Sequence, residues 1–254
     1  MPTRRDGPFD GYARSRSHRV ALAWNLPTRR TRHDSSHSCA DMNNKRSSVA
    51  AVIPAAGAST RLGRPKQLLR FRRRALIRHA AEVVIESACE PVVIVLGAYA
   101  ERCERELFDL PVHVVQNSRW PTGLGTSIAT GLRALDSLEA RPDAVLLSLC
   151  DQPAVTPPML RRLIARHRAG GARIVAAGYA GTLGAPAIFD RSLFGELRAL
   201  SGPEGARKLF ERFASEVASV PLAAAALDLD TPTHWRRFLA RKLFRPKRTS
   251  VAKA

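Results

Sequence analysis

The chain has 254 residues, is 45% hydrophobic and carries a formal net charge of +19. This length and hydrophobic content exclude a chain that is disordered throughout, and they suffice for one large domain or two small ones. So basic a charge suggests nucleic acid at first, because phosphates attract Lys and Arg. Residues 1–46 carry ten basic and four acidic groups, and residues 236–254 carry eight basic groups and no acid, so residues 47–235 keep a net charge of only +5. Binding of nucleic acid by the central part of the chain is therefore not expected.

The ends of the chain differ in composition from the middle. Residues 1–46 mix Arg, Ser, His, Asp and Pro without apolar periodicity, which predicts a disordered or dispensable extension. Met42 precedes a short polar stretch and then a strand-like run, and it is our candidate for the true translation start. Residues 241–254 are interpreted as a basic flexible tail, so the folded domain is expected to cover residues 47–240.

Composition also bears on location and metal binding. No run of 18 or more uncharged apolar residues occurs, so no membrane-spanning helix is predicted. The seven histidines show neither H-x-H nor H-E-x-x-H spacing, which argues against a zinc site. The four cysteines have no C-x-x-C spacing and do not resemble a disulfide framework, which favours the reducing cytoplasm.

Apolar strand-like runs alternate with helical patterns up to residue 177. The runs are apolar almost throughout, which is typical of strands covered on both faces in a mostly parallel sheet. The alternation predicts an α/β, doubly wound, Rossmann-like fold flanked by helices, with a small mixed β extension after residue 177. The predicted strands are Val49–Pro54, Pro91–Leu96, Val112–Val115, Ala144–Leu149 and Arg173–Ala177, and the predicted helices are Ala75–Ala88, Ala100–Phe108, Gly125–Leu135 and Pro158–Ala169.

The pattern beyond residue 177 is less regular. Thr231 and Pro232 form a sound start signal for a last helix, with Thr as N-cap and Pro at the first helical position. Before it we predict strands at Ala187–Phe189, Val217–Val220 and Leu227–Leu229, and helices at Ser192–Leu200 and Glu204–Phe213.

A glycine-rich segment follows the first strand directly, and residues 52–66 read VIPAAGASTRLGRPK. Ligands of open parallel sheets bind beyond the carboxyl ends of strands, and small residues let backbone N–H groups approach a polyphosphate closely. Arg61 can bridge two phosphate oxygens through its planar guanidinium, and Lys66 is a compact charge. The segment has neither Walker A nor G-x-G-x-x-G spacing. It predicts a phosphate-binding loop, with an ordinary flexible loop as the alternative.

Two acidic segments follow apolar runs. Asp151 comes directly after the run at residues 145–150, at the sheet edge where the glycine-rich segment is expected. Mg²⁺ prefers oxygen ligands and is usually held by one or two carboxylates together with substrate phosphates, so Asp151 is a candidate ligand. Asp228 and Asp230 are two positions apart, so in a strand their side chains would lie on the same face. Either can supply a second carboxylate ligand, and Asp230 is preferred. Asp151 can instead be a turn residue, and Asp230 can simply cap the last helix.

Together these segments resemble the molybdenum cofactor cytidylyltransferase-like branch of the MobA/MocA-like NTP transferases. That branch shows a GDQP-like turn and a D-[IL]-D-T-P segment, where this chain has CDQP at 150–153 and DLDTP at 228–232. The resemblance covers roughly residues 49–239. Two positions depart from the pattern: Cys150 stands where Gly is usual, and Ala185 stands where Asn is frequent, which would remove a substrate hydrogen bond.

The resemblance implies a Mg-dependent nucleotidyltransferase. It would move a nucleotidyl group from an NTP, with CTP favoured, to a phosphorylated acceptor, with molybdopterin or the molybdenum cofactor favoured, and release pyrophosphate. A molybdoenzyme is a further expected partner. The implied catalytic residues are Lys66, Arg61 and Asp151, and the implied metal ligands are Asp151 and Asp230. The implied nucleotide-binding residues are Ala55, Ala56, Gly57, Ser59, Arg61, Lys66, Gly125 and Ser127.

Two alternatives stay open. Transfer to a sugar phosphate or another small phosphorylated acceptor would use the same loop. A non-catalytic protein of this fold would instead bind nucleic acid through its basic ends. The cytidylyltransferases of isoprenoid synthesis also start with a Pro-Ala-Ala-Gly turn like that at Pro54, but they carry an HDAARP-like segment where this chain has CDQP.

Overall fold

The chain forms a central sheet and a small hairpin over the residues that the computed structural model describes, which are 47–138, 141–227, 229 and 231–243. The strands are β1 Val49–Pro54, β2 Arg70–Phe71, β3 Arg74–Ala75, β4 Val92–Leu96, β5 His113–Gln116, β6 Ala144–Leu147, β7 Ile174–Tyr179, β8 Thr182–Asp190 and β9 Val217–Pro221. The α-helices are α1 Leu76–Ile85, α2 Ala100–Glu104, α3 Leu124–Ser137, α4 Pro157–Arg168, α5 Phe194–Ala199, α6 Arg207–Arg212 and α7 Pro232–Leu243. Short 3₁₀ turns lie at Thr60–Leu62, Lys66–Leu68, Trp120–Thr122, Arg191–Leu193, Ala214–Glu216 and Ala223–Ala226.

The strand order of the sheet is β5-β4-β1-β6-β8-β7-β9. β1 pairs in parallel with β4 and β6, and β4 pairs in parallel with β5. β8 runs antiparallel to both of its neighbours, while β9 is parallel to β7. The predicted fold class, a mostly parallel doubly wound sheet with a mixed extension, is confirmed. Because parallel strands end at one edge, the segments that follow β1, β4 and β6 meet there.

Helices cover both faces of the sheet, which explains why its strands are apolar throughout. All six residues of β1 are buried, and the side chains of the first five alternate between two apolar clusters. Ile53 packs in the cluster that contains Ile77 of α1 and Leu163 of α4, whereas Val52 packs in the cluster that contains Leu132 of α3. Full burial of one such side chain stabilises the fold by roughly 1.5–3 kcal/mol. The loop after β1 is therefore anchored to the centre of the molecule.

The strands and helices predicted up to residue 177 are all present, with ends shifted by up to four residues. The strand predicted at residues 187–189 is longer than expected, because pairing with β7 extends β8 to nine residues. The basic run at residues 70–74 forms the β2–β3 hairpin, whose turn residues Arg72 and Arg73 have φ angles of 49° and 67°.

The strand predicted at residues 227–229 is wrong for the two leucines that the structure describes. Neither Leu227 nor Leu229 is in a strand, and a 3₁₀ turn precedes them. Leu229 is buried instead in a side cluster with Trp235 and Phe238 of α7, so packing against this helix replaces pairing in the sheet.

The last helix begins where the sequence predicts, because Thr231 Oγ1 accepts a hydrogen bond of 3.2 Å from the His234 backbone N–H. Among the residues that the structure describes, no helix is long and apolar enough to cross a membrane. The predictions for residues 1–46 and for the tail beyond residue 243 lie outside the described residues.

Candidate active site

The loop that follows β1 lines a cavity of about 470 Å³ at the carboxyl edge of the sheet, which we call the β1 cleft. Segments that follow β5 and β6 complete its walls. Seven residues predicted from the sequence line this cleft: Ala55, Ala56, Gly57, Arg61, Lys66, Ser127 and Asp151. Ser59 and Gly125, which were also predicted, lie behind the walls and support them.

Hydrogen bonds to β4 and to the segment after it hold the loop. The Ala55 N–H donates to Val95 O at 2.8 Å, and Ala56 O accepts from the Ala98 N–H at 3.0 Å. The N–H groups of Ala56, Gly57 and Ala58 make no hydrogen bond to any described residue. Successive free N–H groups in a concave loop form an anion-binding site. The loop is therefore suited to bind phosphate oxygens.

Gln67 fixes the shape of this loop, and sequence reasoning missed it. Its buried amide donates to Ala55 O at 2.9 Å and to Gly57 O at 2.7 Å, and its Oε1 accepts from Ser59 Oγ at 3.3 Å. Ser59 in turn accepts from the Lys66 backbone N–H at 3.1 Å, so its role is to shape the loop. The only signal in the sequence is a glutamine placed directly between Lys66 and two leucines.

Lys66 and Asp151 form an ion pair in the cleft, with 2.5 Å between Nζ and Oδ2. Asp151 follows β6 and is only 6% exposed. Its second oxygen, Oδ1, is buried and makes no hydrogen bond to any described residue. A buried carboxylate oxygen without a partner is costly unless a ligand satisfies it. The loop and the end of β6 thus bring opposite charges from residues 85 positions apart into one cleft.

The same carboxylate fits a divalent cation, because hard cations such as Mg²⁺ prefer oxygen ligands and retain several from water and substrate phosphates. No group of three or more His, Cys, Asp or Glu side chains suited to a metal occurs in the described part of the chain. A cation at Asp151 would therefore depend on phosphate oxygens for much of its coordination. Asp228 and Asp230 lie outside the described residues.

Cys150 precedes Asp151 and lines the cleft, at the position where the resembled branch usually has glycine. Burial raises the pKa of its thiol to about 12, and the neighbouring Asp151 carboxylate adds to the effect. The thiol therefore stays protonated at neutral pH and is not a nucleophile.

The cleft wall beyond β5 is built from the start of α3 and the turn before it. Asn117 donates hydrogen bonds of 3.0 Å to Thr126 Oγ1 and to Ser127 Oγ, which fixes Ser127 in the wall. Trp120 lies across Gly97, where an added Cβ would be 2.8 Å from Trp120 Cγ and 2.6 Å from Ala56 O. Glycine at this position lets the indole approach the loop.

Gly125 supports this wall from behind. Its N–H donates to Gly202 O at 2.9 Å, and an added Cβ would lie 2.8 Å from the Ser201 backbone. The structure thus gives Gly125 a packing role beside the cleft.

A second amide that sequence reasoning missed, Gln152, joins the cleft to β8. Its Nε2 donates to Ala185 O and to Ala225 O, both at 2.9 Å. Beyond this contact lies a second cavity of about 280 Å³, which we call the β8 pocket and which is lined mainly by β8, α3 and α6. Gln152 belongs to the CDQP segment, but its bonding role could not be predicted from the sequence, because its partners are 33 and 73 positions away.

The chain is similar to known proteins over most of the described domain. The profile of the MobA-like NTP transferase domain matches residues 51–218. The nicotine blue oxidoreductase of Paenarthrobacter nicotinovorans is 39% identical over 145 residues, which is 56% of this chain and 67% of that protein. The 2-C-methyl-D-erythritol 4-phosphate cytidylyltransferase of Corynebacterium glutamicum is 30% identical over 183 residues, which is 65% of this chain and 71% of that protein.

Solved structures are similar as well. Rv0371c from Mycobacterium tuberculosis is 31% identical and superimposes with a TM-score of 0.65 over 77% of this chain and 99% of that chain. Its complex with manganese is 30% identical, with a TM-score of 0.64 over 76% of this chain and 98% of that chain. Since the domain profile covers well over half of the sequence, the chain belongs to the MobA-like NTP transferase family.

Proposed function

We propose that this protein transfers a nucleotidyl group from an NTP to a phosphorylated small molecule, with a divalent cation bound. CTP is the proposed donor, and molybdopterin or the molybdenum cofactor is the leading acceptor, ahead of a sugar phosphate. The observation that carries the proposal is the contact between Lys66 and Asp151 in one cleft with the free N–H groups of the β1 loop. The choice of CTP is supported by the resemblance to molybdenum cofactor cytidylyltransferases and by the cytidylyltransferase among the relatives.

The reaction forms one P–O bond and breaks another. An oxygen of the acceptor phosphate attacks the α-phosphorus of the donor, and the bond from that phosphorus to the bridging β-phosphate oxygen breaks. Pyrophosphate leaves with the electron pair of the broken bond. Because the attacking phosphate is already ionised at neutral pH, no side chain has to remove a proton from it.

The residues of the cleft act by binding and orienting anions that repel one another. The N–H groups of Ala56, Gly57 and Ala58 donate to the phosphates of the donor. Arg61 holds the β- and γ-phosphates, which become the leaving group. Lys66 exchanges part of its contact with Asp151 for the α-phosphate or the attacking phosphate.

Asp151 would hold the cation through its carboxylate, with Asp230 as the proposed second ligand. When bound, the cation neutralises charge on the phosphate oxygens. Mg²⁺ is the proposed ion, and the similarity to Rv0371c, which was solved in complex with manganese, supports a divalent cation. We further propose that the protein works in the cytoplasm and hands its product to a molybdoenzyme.

The experiment that tests the reaction is a panel of CTP, GTP, ATP and UTP with Mg²⁺ or Mn²⁺, scored by pyrophosphate release. Each donor is offered with molybdenum cofactor, with a sugar phosphate and with no acceptor. We expect release only with cation and acceptor present, and fastest with CTP and molybdenum cofactor. Release from another donor would change the base assignment, and no release from any pair would overturn nucleotidyl transfer.

A second candidate function is oxidation or reduction of a ring-bearing organic compound. The similarity to nicotine blue oxidoreductase and the apolar β8 pocket beside the cleft favour it. Consumption of NADH or NADPH in the presence of a quinonoid dye, without any pyrophosphate release in the panel above, would support this candidate. Lys66→Ala separates the two further, because only nucleotidyl transfer requires its charge.

A further inference from the structure

A groove of about 430 Å³ lies beside the segment that carries Lys66, and we call it the arginine groove. Three arginines line it, namely Arg64, Arg70 and Arg102, and its apolar part is formed by Pro65, Leu68, Leu69 and Trp235. None of these seven residues lines the β1 cleft or the β8 pocket. The arginine groove is therefore separate from the site proposed for nucleotidyl transfer.

The groove and the cleft lie on different sides of one short segment. Lys66 and Gln67 line the cleft, whereas Leu68 and Leu69 line the groove. Residues 66–68 form a 3₁₀ turn, in which successive side chains point about 120° apart, so neighbouring residues serve different cavities. A ligand in the groove would contact this turn without entering the cleft.

The rim of the groove carries positive charge that nearby acids do not balance. Arg70 is compensated, because its guanidinium donates to both carboxylate oxygens of Glu106 at 3.1 and 2.8 Å. Arg64 and Arg102 are exposed and form no hydrogen bond or ion pair with any described residue. A guanidinium presents a planar set of donors that matches a carboxylate or a phosphate. The groove is therefore suited to an anionic ligand.

The floor of the groove is apolar and supported from behind. Leu69 is 7% exposed and Trp235 is 9% exposed, and both pack in the side cluster that contains Phe238 of α7. Pro65 and Leu68 are half-buried beside them. An apolar centre surrounded by a polar rim, with tryptophan and arginine among its residues, is typical of protein–protein interfaces.

Charge and shape select among the possible occupants. Residues 236–254 carry eight basic groups and no acid, and residues 1–46 have a net charge of +6, so neither end of this chain complements the rim. Single-stranded nucleic acid would stack its bases on exposed aromatic faces, and the indole of Trp235 is too deeply buried to offer one. Clusters of arginine are a recurring means of binding acidic peptide segments.

We propose that the arginine groove docks an acidic segment of a partner protein. Carboxylates of the segment bind Arg64 and Arg102, and an apolar side chain between them packs on the floor formed by Leu68, Leu69 and Trp235. This interaction goes beyond the reaction proposed for the cleft and does not depend on it. A partner docked here lies against the turn that positions Lys66, and so beside the cleft entrance without blocking the phosphates.

The first test is the binding of fluorescently labelled peptides to the full chain, measured by anisotropy at low salt. One peptide has leucine between two pairs of aspartates, a second has serine in place of leucine, and a third has lysines in place of the aspartates. We expect the leucine–aspartate peptide to bind about tenfold more tightly than the serine peptide, because burial of leucine is favourable. Equal binding of the aspartate and lysine peptides would overturn the inference.

Salt and variants locate this binding in the groove. About 0.5 M salt should weaken it strongly, because exposed charges are then screened. We expect Arg102→Glu to weaken the aspartate peptide by about fivefold or more, since one attraction is lost and one repulsion is added. Arg162→Glu makes the same change of charge at an exposed arginine of α4 outside the groove and should keep the affinity, as should the conservative Arg102→Lys. An equal loss in Arg162→Glu would overturn the assignment to the groove.

Two further measurements separate this inference from its rivals. Labelled oligothymidylate that binds more tightly than the aspartate peptide, and loses this binding in Arg102→Glu, would overturn the docking of a protein segment. Pyrophosphate release should be unchanged in Arg102→Glu, because Arg102 does not line the cleft. Absence of release from every donor contradicts the proposed reaction alone, whereas equal peptide affinities contradict the docking site alone.

Discussion

Lys66 and Asp151 are 85 positions apart in the chain, yet their side chains meet at 2.5 Å in the β1 cleft. The carboxylate is nearly buried and the lysine is partly exposed, so each charge compensates the other until a ligand arrives. Preorganised charges of this kind act on the transition state without reorganising. Single substitutions at these two residues therefore test the chemistry more directly than any other change.

We expect Lys66→Ala and Asp151→Asn each to lower the turnover number by roughly 10²–10³-fold. The double variant should lose less than the product of the two, because the residues act as a unit. Pyrophosphate release measures the loss and thermal melting checks the fold. Arg105→Ala, which breaks an exposed ion pair with Glu101, is the matched control and should keep full turnover. Near-normal turnover in either cleft variant would contradict the mechanism.

Gly57, which lines the cleft, and Gly97, which lies beneath Trp120, make a matched pair for substitution by alanine. An alanine Cβ at Gly57 would meet nothing within 4 Å, so the protein itself does not require glycine there. We expect Gly57→Ala to change the free energy of unfolding by less than about 0.5 kcal/mol, while a methyl group in the path of the phosphates raises the KM for the NTP by roughly tenfold. Urea unfolding and steady-state kinetics measure the two effects.

At Gly97 the opposite outcome is expected. An added Cβ would meet Ala56 O at 2.6 Å and Trp120 Cγ at 2.8 Å. Gly97→Ala should therefore lower the free energy of unfolding by about 1–3 kcal/mol and displace the loop. An unchanged stability in Gly97→Ala, or a clear loss of stability in Gly57→Ala, would contradict this assignment of the two positions.

The elements of the sheet differ in what they contribute. Three parallel strands end at one edge of the sheet, and each is followed by a part of the cleft. The loop follows β1, the wall under Trp120 follows β4, and Asp151 follows β6. β8 runs antiparallel to β6 and supplies the floor of the β8 pocket.

Helix α4 covers the same sheet and carries a titratable group, His167, which is 9% exposed and has no partner for Nδ1 among the described residues.

Burial lowers the pKa of His167 below its ordinary value of 6.5, and the nearby charges of Asp190, Arg168 and Asp143 modify the shift. The unfolded chain therefore binds more protons than the folded chain as the pH falls below about 6.5, so stability is full above that pH and is lost below it. One proton limits the slope to about 1.4 kcal/mol per pH unit. We expect His167→Gln to flatten the dependence of the free energy of unfolding on pH between about 7 and 5.

Urea titrations over that pH range measure this slope. His113→Gln replaces an exposed histidine on β5 and serves as the control. An unchanged slope in the His167 variant would show that other groups dominate the acid sensitivity.

The net charge of +19 is distributed unevenly along the chain. Fourteen of the nineteen net positive charges belong to residues 1–46 and 236–254, with +6 and +8 respectively. Loops, strands and helices from residue 49 onward build both cavities. Binding of phosphate ligands by the ends and by the cleft can therefore be tested separately.

We expect a chain that lacks residues 1–41 and 244–254 to keep its melting temperature and its rate of pyrophosphate release within about twofold, since a change below 0.5 kcal/mol has little effect on either. The alternative in which the basic ends bind nucleic acid predicts salt-dependent binding of DNA by the full chain, and loss of this binding when the ends are removed. A truncated chain that no longer releases pyrophosphate would show that an end contributes to the site.

The sequence alone predicted the positions of the strands up to residue 177, the glycine-rich loop after β1 and the acid after β6. These features are local: apolar runs predict covered strands, and Arg61, Lys66 and the small residues of the loop lie within twelve positions of each other. The strand predicted at residues 227–229 was wrong, because Leu229 packs against α7 and does not pair in the sheet. Local pattern cannot distinguish these two uses of a buried leucine.

Only the tertiary structure decided how the site is held and what surrounds it. Gln152 bonds to residues 33 and 73 positions away, Trp120 lies across Gly97, and Gly125 supports the wall by packing against residue 201. The β8 pocket likewise exists only because β6, β8, α3 and α6 meet. Such contacts depend on distances between elements that are remote in the chain, whereas the small and basic residues of the β1 loop are neighbours in sequence.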